Sequence, residues 1–128
     1  MDNEKKEYLE KIFQKRSFLH DHHKILATEN FELAKKINDF IDLMYNPQNG
    51  AIDRKIKEFL FIAVLAVKGA PKEHMKLHID VAVKHGATKE EFFEVLNLIF
   101  LLDGAATYKY VFDALQEVIP LGKLEPDS

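Results

Sequence analysis

The segment "KEHMKLHIDVAVKHGATKEEF", residues 72 to 92, sets two histidines four positions apart, His74 and His78. On a helix they fall on one face, a turn from each other. An imidazole titrates near neutrality, so such a pair can give and take protons. The same spacing suits a metal ion, with a third ligand drawn from His20, His22 and His23 in "HDHH" or from Glu58. The residues between the pair are Met75, Lys76 and Leu77, so the general-base glutamate of an H-E-x-x-H metalloprotease is missing. The reading without chemistry is one exposed and one packed histidine, and spacing alone leaves all three open. Glu58 is the last charge before the apolar run "FLFIAVLAV". It is either drawn partly inside as an acid/base partner or solvated on a helix surface beside Arg54 or Lys55.

The elements that must position these residues read as helices throughout. Tyr8, Leu9, Ile12 and Phe13 make an apolar stripe in a first helix spanning about residues 3 to 24, with "HDHH" at its end. A second helix carries Leu33, Ala34, Ile37, Phe40, Ile41 and Met44 on one face, and "NPQNG" ends it. The third runs from near Ile52 to Lys68; its second half is apolar all round, as in a helix buried on every side. Gly69 suits its C-terminal cap and Pro71 the first turn of the fourth, which carries His74, His78 and His85 and stops at Gly86. Thr88 and Glu91 form a capping box for a fifth helix, and a sixth presents Tyr110, Val111, Ala114, Leu115 and Val118 until Pro120. No hairpin-bounded alternation is present. The expectation is one all-α domain over residues 1–128 with about six helices and a frayed tail at 121–128.

Composition narrows the chemistry. The chain has 128 residues and no cysteine, which excludes disulfides, thiolate metal sites and thiol redox cycles within it. A net charge of -3 leaves no basic footprint for nucleic acid or an anionic membrane. The apolar run from Phe59 to Val67 is far short of the roughly 20 residues a membrane span requires. The polar start "MDNEKKEYLEK" shows no secretory signal, so the expected compartment is the cytoplasm. Phosphate-binding glycine motifs and a G-x-S-x-G elbow are also missing. Two strongly apolar helices, the third and the fifth, exceed what one small core can surround, which predicts a homo-oligomer.

Three pieces of the chain resemble the carboxymuconolactone decarboxylase family, which includes the alkylhydroperoxidase D-like proteins. They are "IDRKIKE", "HIDVAVKHGATKEE" and "EVLNLIFLLDG", and the resemblance spans about residues 50 to 115. It implies a helical bundle with a central antiparallel helical pair, assembled as dimers, trimers or hexamers. It also implies one of two chemistries: thiol peroxidation through a C-x-x-C-x-x-x-H motif with a relay glutamate, or cofactor-independent decarboxylation of a lactone. The motif histidine corresponds to His78, and the two cysteine positions fall on Pro71 and His74. The relay glutamate corresponds to Glu58, one residue farther from His78 than the family spacing, which an insertion after Gly69 accommodates. The resemblance therefore implies catalytic roles for His78, Glu58 and His74 on a small-molecule substrate, without a cofactor and without the thiol mechanism.

Overall fold

A computed structural model describes residues 2–16 and 18–120. Seven helices follow one another among the described residues, with no strand: α1 (Asn3–Arg16), α2 (Asp21–Glu29), α3 (Phe31–Tyr45), α4 (Arg54–Lys68), α5 (Lys72–Lys84), α6 (Lys89–Asp103) and α7 (Ala105–Val118). The chain divides into two compact units, Met1–Ala51 and Ile52–Ser128. The all-α expectation holds. The expected frayed tail, 121–128, lies outside the described residues.

In the first unit the single helix expected over residues 3 to 24 is instead two. Arg16, at the end of α1, is only 2% exposed. Its guanidinium donates to the backbone carbonyl and side chain of Asn38 and, at 3.1 Å, to Asp42 Oδ1 on α3. Phe18 is buried just beyond it. Residues 18–20 are not helical, and His20 adopts an extended conformation at the N-cap of α2. "HDHH" thus opens a helix rather than closing one. Asn30 caps α3 by accepting from Leu33 N–H. Leu9, Ile12, Ala27 and Ala34 form this unit's small core, while Phe13, Leu33, Phe40 and Met44 of the expected stripes are exposed.

In the second unit the punctuation expected at Gly69 and at Thr88–Glu91 is in place, and Asp53 adds a cap that was not expected. Asp53 caps α4 by accepting from Ile56 N–H at 2.9 Å, and Gly69 ends it with φ 70°, a left-handed conformation that favours glycine. Thr88 and Glu91 exchange both bonds of the capping box at the head of α6. The three-residue connection 69–71 turns α5 back along α4, and these two helices share an extensive contact.

The helix that contributes most to the core is α5, not α4. Met75, Ile79, Val81 and Ala82 are all at 0% exposure. Met75, Ile79 and Ala82 share one core cluster with Ile62 and Ala66 from α4, Phe92, Leu96 and Ile99 from α6, and Val111, Ala114 and Leu115 from α7. Each large apolar side chain fully withdrawn here contributes about 1.5–3 kcal/mol. On α4, by contrast, Ile56, Leu60, Val64 and Val67 are exposed and spaced along one face. The apolar run therefore does not mark a fully surrounded helix: one side of it packs on α5 and the other does not.

Candidate active site

Glu58 and His78 are brought together by the α4–α5 hairpin. Glu58 lies one turn after Arg54 and one before Ile62, on the face of α4 that packs inward, and its side chain is 0% exposed. His78 sits on α5 among fully buried neighbours and is itself 6% exposed. Glu58 Oε2 and His78 Nδ1 are 2.6 Å apart, a short hydrogen bond between a carboxyl and a ring nitrogen. The other carboxyl oxygen, Oε1, accepts from Arg54 Nε at 2.8 Å. Both oxygens of this buried carboxyl are thus occupied, as a buried charge requires.

Two rings frame His78. Phe61 meets it edge to face at 5.5 Å between centroids, and His74 lies 5.2 Å away, tilted. The histidine pair is therefore neighbouring, as the helical spacing predicts, with His78 buried and His74 half-buried. Lys55 does not compete for Glu58: its ammonium pairs with Glu91 at 2.8 Å, where that hydrogen bond holds the Glu91 carboxyl below the usual carboxylate range. Glu73 stays at the surface with Lys76. A second-layer contact comes from Tyr110 on α7, whose hydroxyl donates to the Ala70 carbonyl in the turn before α5.

The alternatives left open by the sequence now separate. The sequence offered Glu58 as either buried or paired with Arg54; the structure shows it to be both. Arg54 is the site residue whose weight the sequence did not convey, although its signal, a four-residue spacing to Glu58 on a helix, was legible. For a metal ion, no group of three or more His, Asp or Glu side chains among the described residues is arranged as a ligand set. The Nδ1 of His78 is engaged with Glu58.

In that unit His20, His22 and His23 cluster on themselves, with ring centroids 4.3–5.4 Å apart. His23 borders a cavity of about 20 Å³ with Tyr8, Ile12, Leu26 and Asn38, room for about one water molecule. Among the described residues the buried His23 Nδ1 has no hydrogen-bond partner. Burial, and then the neighbouring His22, His20 and Arg16, push the His23 imidazole down to about 4.

The described residues are all-helical, and the α4–α5 hairpin of the second unit encloses a carboxyl–imidazole contact in a chain without a thiol. The model of the carboxymuconolactone decarboxylase family matches residues 32–117, and the chain belongs to that family. The match reaches farther toward the N-terminus than the sequence resemblance did, and it contains Glu58, His74 and His78. No curated protein and no solved structure matches the chain.

Proposed function

We propose that the protein is a cofactor-independent acid/base enzyme, a decarboxylase or lactone-type lyase acting on a small anionic organic molecule. The observation that carries this reading is the 2.6 Å contact between buried Glu58 and His78. In this arrangement the carboxyl orients and balances the ring, and the ring moves the proton. His74, adjacent and less buried, serves to bind substrate or to share that proton. Thiol peroxidation, the other chemistry linked with the family, has no nucleophile here because the chain contains no cysteine. The reading includes assembly of identical chains. Its support is the exposed apolar row Ile56, Leu60, Val64 and Val67 on α4, with Leu98, Leu101 and Leu102 on α6.

A panel of small carboxylated lactones incubated with the protein in D2O and followed by proton NMR tests the proposal. Conversion of one class is expected, with deuterium entering the product, and loss of about 10²–10⁴-fold in His78→Ala. Conversion that is unaffected by His78→Ala overturns the assignment. Saturable binding of such a compound without any conversion favours a ligand-binding protein instead.

A further inference from the structure

The proton in the Glu58–His78 contact has two possible positions, and they make opposite reagents of the ring. If Nδ1 carries it and donates to an ionised carboxylate, the neutral ring keeps its lone pair on Nε2. If Oε2 carries it and donates to Nδ1, the neutral ring carries its hydrogen on Nε2. The first ring is a base toward whatever meets Nε2; the second is a hydrogen-bond donor.

We propose that Arg54 is a positioning residue that holds the dyad in the first arrangement, so that the site begins its chemistry by taking a proton from a substrate C–H or O–H. The inference rests on the reading that Glu58 and His78 form the working dyad. A guanidinium has donors only and keeps its charge at any ordinary pH. Its Nε, 2.8 Å from Oε1, leaves no room for a proton on that oxygen. Oε2 alone could then be protonated, and protonating it would leave the Arg54 charge, 14% exposed, beside a neutral carboxyl. With the carboxylate ionised and the ring neutral, the +1 and -1 of the pair cancel inside the protein. Exposed ion pairs are weakened by water, but this one includes a carboxyl at 0% exposure.

The position of Arg54 in its helix supports a role beyond helix formation. The first turn of α4 contains no acidic residue, and Arg54 and Lys55 stand at the positive end of the helix dipole, where a cation is disfavoured. Lys55 leaves that field to meet Glu91, and Arg54 finds Glu58. The proton step balances without a co-reactant. The substrate X–H bond breaks, its electron pair stays on the substrate, and an N–H bond forms at Nε2. The resulting imidazolium faces the Glu58 carboxylate across the Nδ1 contact, and return of the proton to the product restores the resting site.

Nitrogen-15 NMR of the labelled protein at alkaline pH, where histidine rings are neutral, reads the arrangement directly. In the wild type the His78 signals should be those of a protonated Nδ1 and a lone pair on Nε2. Arg54→Met should shift the ring toward the Nε2–H form, and Arg54→Lys should retain the wild-type pattern. An Nε2–H ring in the wild type overturns the proposal, as does an Arg54→Met spectrum unchanged from the wild type. If Arg54→Met does not fold, the wild-type spectrum with that of Arg54→Gln decides by the same criteria. The readout requires no substrate: if His78→Ala proves harmless to turnover, the functional reading fails while the proton assignment stands.

Discussion

Lowering the pH should destabilise the first unit through His23. The folded unit holds this imidazole at about 4, against 6.5 for an ordinary histidine, chiefly because it is buried. The unfolded chain therefore takes up a proton near pH 6.5, while the folded unit resists until about pH 4. Stability from this group is complete above pH 6.5, drains away as the pH falls through that interval, and levels off below it. A shift of this size corresponds to about 3 kcal/mol at full linkage. Partial contact of the ring with solvent reduces the expected loss to about 1–2 kcal/mol. Urea unfolding followed by far-UV circular dichroism between pH 7.5 and 3.5 (approximate limits set by the linkage window), on the wild type and His23→Gln, provides the measurement. The stability advantage of the wild type should shrink toward pH 4 and then stay flat. Groups remote from His23 cancel in that difference, whereas His20 and His22, which act on its ring, contribute to it. A difference that is constant across the window would refute the argument, because it would mean that burial does not disfavour the charged ring.

At the candidate site, Glu58→Gln should cost about 1–3 kcal/mol, since the Arg54 guanidinium loses the Glu58 counter-charge and the bond to His78 becomes a neutral one. In a double-mutant cycle with Arg54→Met, the combined loss should fall short of the sum by about 1 kcal/mol or more, and strict additivity would show that the two side chains do not interact. Light scattering at micromolar concentration should give a mass at least twice the 14.8 kDa of one chain; a stable monomer would remove the assembly from the proposed function.

What the sequence disclosed follows from where its signals are local. Caps such as Thr88–Glu91 and Gly69 act within a few residues of themselves, so composition and spacing locate the end of α4 and the start of α6 directly. The same holds for His74 and His78, whose proximity is a property of one helix. The break between α1 and α2 was hidden because its cause is tertiary: Arg16 reaches Asn38 and Asp42, residues more than twenty positions away. Burial was misread for a related reason. Hydropathy marks α4 as the innermost helix, but burial depends on which faces meet a neighbour: α5 packs closely on both α4 and α7, with Lys76 and Asp80 on its outer side, whereas one apolar face of α4 stays exposed. Glu58 illustrates the limit most clearly: its spacing to Arg54 is visible in the sequence, but its full enclosure follows only once that guanidinium and the His78 imidazole occupy both carboxyl oxygens.

The bond from Tyr110 to the Ala70 carbonyl has a consequence for how the second unit opens. It fastens the turn that launches α5 to the middle of α7, forty residues along the chain, rather than to α4 alone. The first amides of α5 donate to Pro71, the residue after that carbonyl. Fluctuations that release α7 therefore also free the start of the helix bearing His74, and the two segments should form one cooperative unit in native-state hydrogen exchange. The amides of His74 and Met75 would then exchange at the rate set by α7, whereas those at the end of α4, closed by Gly69, would follow a separate opening.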